Sequence, residues 1–236
     1  MKLIDFHTHL LPGIDDGSSN MEESVAMLRM EGEHGIASVV ATPHFYPQHD
    51  SPDRFLQRRD AAFAELCAKT AGLHGLPRII LGAEVHFFRG MSQSDQLDQL
   101  TIGGKRCILI EMPAISWTDE IYRELYEIHA QRGIVPIIAH VERYITPFNQ
   151  GKVMRQLAEL PVLVQANANF FVKRSTARTA CRLLKEDRIH LLGSDCHNMV
   201  QRKPNLDVAV QKIRASLGAD ALRRIEQHQA ELLEMY

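Results

Sequence analysis

Seven short apolar runs, spread over nearly all of the 236 residues, constrain the fold of this chain more than any other feature. They read KLIDFHTH, IASVVATPH, RIILGAEVH, RCILIEM, IVPIIAH, VLVQANAN and HLLGSDCH, and a stretch with helical spacing separates each from the next. A continuous apolar run is the signature of a strand buried on both faces, which a parallel sheet covered by helices provides. In the first interval Ser19 or Asn20 can cap a helix that opens with Glu22 and Glu23 and stops at Gly35. In the second, Pro52 lies near a helix start and Gly72 follows its end. No linker or low-complexity segment interrupts the series, so one domain over residues 1–236 is expected. Seven strand-helix units predict a closed or nearly closed, TIM-like (β/α)7 barrel, with an open doubly wound α/β sheet as the alternative reading of the same pattern.

Composition excludes several functions. The net charge of -2 sets up no field that would gather nucleic acid or anionic lipid, which leaves a small molecule or a protein as substrate. The four cysteines, Cys67, Cys107, Cys181 and Cys196, form no CxxC pair, so neither a thiolate zinc site nor a disulfide framework is indicated. Asp5 and Pro12 leave too few apolar residues between them for a signal-peptide core, and no run is long enough to span a bilayer. A cytoplasmic protein without membrane insertion is expected.

In α/β architectures the chemistry gathers at the C-terminal ends of the strands. Here His7 and His9 end the first run, His44 the second, Glu84 lies near the end of the third and Glu111 of the fourth, His140 ends the fifth, and Asp195 and His197 close the seventh; Asp16 lies in the first strand-to-helix loop. The sixth run ends instead in Gln165, Asn167 and Asn169. So many carboxylates and imidazoles on one rim would repel and desolvate badly unless cations held them together, which implies a multinuclear metal site. Imidazole and carboxylate without thiolate suit manganese, iron or zinc. Two or three ions sharing a bridging carboxylate would lower the pKa of a bound water and clamp a phosphoryl oxygen, which is machinery for phosphoester hydrolysis. His34, His49, His74, His86, His129, His190 and His228 fall outside the pattern, and most read as surface or packing residues.

Together the segments DFHTH, TPH, GAEVH, IEMP, AHVERY and SDCH resemble the PHP (polymerase and histidinol phosphatase) family of metal-dependent phosphoesterases. More narrowly, HTHLLPGIDDGS with AHVERY and SDCHN resembles the bacterial tyrosine-protein phosphatases of capsular and exopolysaccharide operons. The resemblance implies a distorted (β/α)7 barrel with two or three ions, Mn2+ foremost and iron, zinc or magnesium as alternatives. It places one metal on His7, His9, Glu84 and Asp195, a second on Glu84, Glu111 and His140, and a third on Asp16, His44 and His197. It further implies that Arg143 and Arg202 contact the substrate phosphate. The implied substrate is a phosphotyrosine protein, the tail of a membrane-bound tyrosine kinase of polysaccharide export, hydrolysed by metal-activated hydroxide. A histidinol-phosphatase-type enzyme and a non-catalytic metal-binding module are the alternatives.

Three further stretches carry expectations. Phe45 and Tyr46, next to His44, are candidates to line a slot for the phosphotyrosine ring. Cys196 to Arg202, CHNMVQR, matches the CxxxxxR spacing of cysteine-dependent phosphatases but lacks the glycine such a phosphate loop needs, so Cys196 reads as structural. The C-terminal ADALRRIEQHQAELLEMY has helical spacing and mixed charge, which reads as a solvated face.

Overall fold

The computed structural model describes residues 3–234; Met1, Lys2, which opens the first run, and Met235 and Tyr236, which close the tail, lie outside the described residues. Nine strands and eight α-helices follow one another among those described. They are β1 Ile4–Thr8, α1 Met21–Glu33, β2 Ser38–Ala41, β3 His44–Phe45, α2 Pro52–Thr70, β4 Arg78–Leu81, β5 Glu84–His86, β6 Cys107–Glu111 and α3 Asp119–Arg132. Then come β7 Val135–Ile138, α4 Gln150–Ala158, β8 Leu163–Asn167, α5 Ala168–Val172, α6 Ala177–Lys185, β9 Leu191–Gly193, α7 Leu206–Leu217 and α8 Ala219–Glu234. Both helix starts read from the sequence are built as expected: Asn20 Oδ1 accepts from Glu23 N at 2.9 Å and Ser51 Oγ from Arg54 N at 3.3 Å.

Every ladder is parallel, in a three-stranded sheet β1-β2-β4 and a six-stranded sheet β3-β5-β6-β7-β8-β9. Strand order follows chain order and never reverses, as a doubly wound sheet would require. All seven runs form strands, but the second and third each break in two. The breaks fall at Thr42-Pro43, where proline offers no ladder donor, and at Gly82-Ala83. Pairing survives them: Gly82 N donates to Ala41 O at 2.9 Å and Glu84 N to Pro43 O at 3.0 Å. The two sheets are thus halves of one curled parallel surface. Its ends meet where Thr8 bridges Cys196, with Asp195 N donating to His7 O at 2.8 Å and His9 N to Cys196 O at 2.9 Å.

The curl divides the core. Ile108 and Ile110 of β6 face the large cluster shared with the helices, while Cys107 and Leu109 join Phe6, Val40, Ile137 and Leu191 in a smaller cluster inside the curve. The tail departs from its reading as a solvated face. In α8, Leu222 and Ile225 are fully buried, each stabilising by about 1.5–3 kcal/mol, and the Gln229 amide accepts from Ile4 N at 3.1 Å and donates to Ile4 O at 2.8 Å. The mixed charge lies on the other face, so charge count alone hid the apolar stripe.

Candidate metal centre

Residues above the inner cluster form the site, because side chains alternate along each strand. In the second stretch Val40 belongs to the inner cluster and His44 follows four residues on; Ile80 leads likewise to Glu84, Leu109 to Glu111, and Leu191 to Asp195 and His197. Two segments break the alternation, and each carries a device. In β1 both Phe6 and His7 face inward, and the register against β2 slips between Asp5 and Thr8, as a bulge with one extra residue would make it. After β7, where Ile137 and Ala139 already face inward, His140 adopts φ 33°, ψ 58° and so turns its ring back into the curve. Asp195 is also left-handed, at φ 56°. Such backbone costs on the order of 1 kcal/mol or more and persists only where neighbours hold it. Here Gln165 Oε1 takes His140 N at 2.6 Å, and His7 O takes Asp195 N.

Glu84, only 1% exposed, stands at the centre. Its Oε2 lies 3.0 Å from His7 Nε2, 3.1 Å from His9 Nε2 and 3.2 Å from His44 Nδ1, and its Oε1 lies 2.7 Å from His140 Nε2. Glu111 Oε1 is 3.6 Å from His140 Nε2, and Asp195 Oδ1 is 3.6 Å from both His7 and His9 Nε2. On the open side Asp16 Oδ1 lies 3.6 Å from His44 Nε2 and 3.4 Å from His197 Nε2. All nine side chains singled out in the sequence therefore meet in one constellation. Three sets hold their donor atoms within 4.8 Å of one another: His7, His9 and Asp195; His44, Glu84 and Glu111; and His9, Asp16, His44 and His197. His9 and His44 each belong to two sets, so the grouping is more interlocked than the family-implied partition.

The donor chemistry fits divalent cations. His7 Nε2 and His9 Nε2 face each other at 3.0 Å beside a shared carboxylate oxygen, an approach that a cation between lone pairs satisfies. Among the described residues, buried His44 Nδ1 and His197 Nε2 find no hydrogen-bond partner even though carboxylate oxygens lie 3.2 and 3.4 Å away, which a cation between them would answer. The field asks for positive charge too. Burial works against the His9 cation, but Asp15 and Glu84 outweigh it and push that imidazole up to about 10. Burial likewise opposes the Glu84 charge, yet His7 and its hydrogen bonds to the imidazoles hold the carboxyl well below its ordinary range. His197, desolvated and facing His9, is pushed down to about 4 and presents a neutral ring.

Several supporting residues were not singled out in the sequence. Asp15 Oδ2 lies 2.7 Å from His9 Nδ1 and accepts from His44 N at 2.8 Å, while its Oδ1 accepts from Gly17 N at 2.9 Å. Tyr144 Oη lies 3.2 Å from His140 Nδ1 and accepts from Met112 N at 3.0 Å. Asn167 Nδ2 donates to Asp195 Oδ2 at 2.8 Å, so the ligand-poor sixth run supplies amides that brace its neighbours. His86, which the sequence placed outside the pattern, reaches the rim, its Nδ1 3.4 Å from Glu111 Oε2. Arg143 and Arg202 converge on one carboxylate, Nη2 of Arg143 2.7 Å from Asp195 Oδ2 and Nη2 of Arg202 2.6 Å from Oδ1.

Of the two aromatic candidates, Phe45 is removed from the site. It packs into the outer core against Phe55 with ring centres 5.2 Å apart, because it has the opposite strand parity to His44. Tyr46 keeps its place, its ring 5.1 Å from that of His44. Cys196 is buried in the outer cluster, and burial pushes its thiol well above the ordinary range. The loop beyond it turns its amides toward the side chain of Asn198, whose Oδ1 accepts from Val200 N at 3.0 Å, Gln201 N at 2.8 Å and Arg202 N at 3.1 Å. Those donors are spent within the loop and cradle no anion.

Fold and site together define a parallel α/β protein with a polynuclear-type imidazole-carboxylate centre at the carboxyl ends of its strands. Residues 3–233 match the family described as capsular polysaccharide synthesis, CpsB/CapC, and the chain belongs to that family. It is 28% identical to the tyrosine-protein phosphatase CpsB of Streptococcus pneumoniae over 94% of each chain. It is 27% identical to the tyrosine-protein phosphatase YwqE of Bacillus subtilis, covering 98% of this chain and 91% of the relative. The fold superposes with TM-score 0.84 and 22% identity on a crystal structure from a study of YwqE from Bacillus subtilis and CpsB from Streptococcus pneumoniae, described as unique metal-dependent tyrosine phosphatases; 98% of this chain and 94% of that one are covered. Among the described residues no helix is long and apolar enough to cross a membrane.

Proposed function

We propose that this chain is a metal-dependent protein-tyrosine phosphatase, built as a single domain with a distorted (β/α)7 barrel of the PHP type. The observation that carries the reading is the convergence of eight other metal-capable side chains around Glu84 with two arginines beside them, in a chain whose curated relatives are named tyrosine-protein phosphatases. His7, His9, Glu84 and Asp195 would hold one ion, Glu84, Glu111 and His140 a second, and Asp16, His44 and His197 a third, with Mn2+ as the metal. Bound divalent cations supply Lewis acidity toward phosphate and water.

The chain's own groups do the rest. Arg143 and Arg202 swing from Asp195 to the phosphoryl oxygens, where planar guanidinium forks pair with two oxygens each and balance the charge that spreads over them. Glu111 and Asn167 take up the contacts that Asp195 and Arg143 then share less closely, since both already lie within reach. The leaving phenolate has a pKa near 10, so no dedicated general acid is needed. Tyr46, pushed up to about 12 by burial and by Glu111, stays a neutral phenol and offers a ring face at the rim. The substrate is phosphotyrosine on a protein of polysaccharide assembly, the tail of its membrane-bound tyrosine kinase, met from the cytoplasmic side.

The test is turnover of p-nitrophenyl phosphate, a phosphotyrosine peptide and histidinol phosphate by chelated enzyme and by the same enzyme restored with Mn2+. The reading expects activity only after restoration and a preference for the aryl phosphates. Turnover that survives chelation, or a preference for histidinol phosphate, overturns it.

A further inference from the structure

A cavity of about 520 Å³ opens beside the metal centre and shares with it Asp195, the one proposed ligand in its lining, together with Asn167 and the two arginines. It lies between α5 and the loop after β9. Arg143 and Arg202 stand at the Asp195 end, and Lys173 and Lys203 line it as well. A space of that size takes a drug-sized ligand, more than one phenyl phosphate fills. Its walls are fixed. Asn205 Nδ2 donates to Asn169 Oδ1 at 3.0 Å, joining the two sides, Thr176 Oγ1 donates to Phe170 O at 2.8 Å, and Asn198 locks the amides of the loop that carries Arg202.

The charge in this cavity is unbalanced. Its two carboxylates are engaged, Asp195 by both arginines and Asn167, and Glu142 by Asn167 N at 3.3 Å. The ammonium groups of Lys173 and Lys203 make no ion pair or hydrogen bond among the described residues. Two unpaired cations in one preformed concavity, continuous with two arginines that face the reacting phosphate, complement an anion that the phosphotyrosine itself does not supply.

We propose that Lys173 and Lys203 form a second anion subsite, which takes a carboxylate or a phosphate on a substrate residue neighbouring the phosphotyrosine. The proposal rests on the reading of the centre as a phosphotyrosine phosphatase and specifies its substrate: an acidic or multiply phosphorylated segment of polypeptide. The subsite acts on substrate capture and leaves the chemical step alone, so its signature is in KM and not in kcat.

The experiment compares Mn2+-restored enzyme on three phosphotyrosine peptides of one length, flanked by alanine, by aspartate, or by a second phosphotyrosine. p-Nitrophenyl phosphate, which carries no second anion, is the reference. Each partly exposed ion pair contributes a few-fold, so the anionic peptides should show KM lower by about three- to tenfold than the alanine peptide. Lys173→Ala with Lys203→Ala should raise those KM values to the alanine level and leave the reference within about twofold, and Lys→Arg at both positions should retain the preference. The advantage should shrink in 0.5 M salt, roughly as a Debye length of a few ångströms dictates. Preference for the aspartate peptide identifies a carboxylate as the natural anion, and preference for the doubly phosphorylated one identifies a phosphate. Equal KM for all three peptides, or an equal loss on every substrate in the double variant, overturns the subsite while the phosphatase reading stands. Absence of turnover on every aryl phosphate would instead remove the phosphatase reading and the subsite with it.

Discussion

Asp15→Asn tests whether the site depends on a carboxylate that touches no proposed metal position. Asp15 spreads three donors over two oxygens: Oδ2 takes His9 Nδ1–H at 2.7 Å and His44 N at 2.8 Å, and Oδ1 takes Gly17 N at 2.9 Å. Asparagine has one acceptor oxygen. If that oxygen stays with His9 and His44, the new NH2 group confronts the Gly17 N–H, one bond is lost, and a partly buried donor is orphaned at a cost of about 1–3 kcal/mol. The two surviving bonds also lose their charge assistance. His9 then holds its tautomer less firmly, and the Nε2 lone pair that faces Glu84 and Asp195 is less often presented. Loss of such an orienting partner costs about 10–100-fold in metal affinity, or roughly 1.4–2.8 kcal/mol, in line with the bond count. Calorimetric titration of Mn2+ into chelator-stripped protein should therefore show Kd raised about 10–100-fold. Turnover of p-nitrophenyl phosphate at saturating Mn2+ should stay within about tenfold of the parent. Asp16→Asn, which removes a proposed ligand from the exposed side, should lose activity that excess Mn2+ does not restore. An unchanged Mn2+ affinity in Asp15→Asn would refute the assignment of Asp15 as the group that orients His9.

Three other outcomes are expected. Cys196→Ser should retain most activity, because the thiol is buried away from the centre, while a chelator should abolish it; the reverse pair of results would point to cysteine chemistry. Gly193→Ala should fail to bind Mn2+ or to fold stably, since its Cβ would lie 2.5 Å from His7 Cβ and 2.8 Å from Gln165 Nε2; thermal melts with and without Mn2+ distinguish these, and a parent-like melt in both would contradict the packing. His190 Nδ1 accepts from Val164 N at 2.9 Å, and burial with His228 nearby pushes its pKa down to about 4. The fold therefore keeps this ring neutral while the unfolded chain protonates it below about 6.5, so its contribution is complete above that pH and is lost as pH falls toward 4, by up to about 3 kcal/mol. Urea unfolding of chelated protein between pH 7 and 4 should show this slope, and His190→Asn, which keeps an acceptor without a titrating ring, should flatten it. An identical slope in that variant would assign the acid sensitivity elsewhere.

The positions of Glu84, Glu111, His44, Asp195 and His197 were legible because strand parity carries each of them inward from an apolar residue two, four or six places earlier, and parity is written in the letters. Parity alone would have turned His7 and His140 the wrong way relative to Phe6 and Ala139. What brings them in is a slipped register in β1 and one left-handed residue after β7, and neither has a distinctive residue type. Their inclusion rests on their place at the ends of the first and fifth runs, not on parity. The same limit explains Asp15 and Asp16, identical neighbours whose roles divide according to the path of a loop: one turns under His9 with three donors around it, the other stands out between His44 and His197. It explains the sixth run as well, where Gln165 and Asn167 looked like a gap in a ring of ligands. An amide cannot replace a carboxylate on a cation, but it can donate to one neighbour and accept from another at once, as Gln165 does between Asn167 and the backbone of the strained His140. An ionised acid only accepts, and an imidazole that gave one nitrogen to a cation would keep only the other, so the amides of the apparent gap help to hold two left-handed residues, His140 and Asp195, in place.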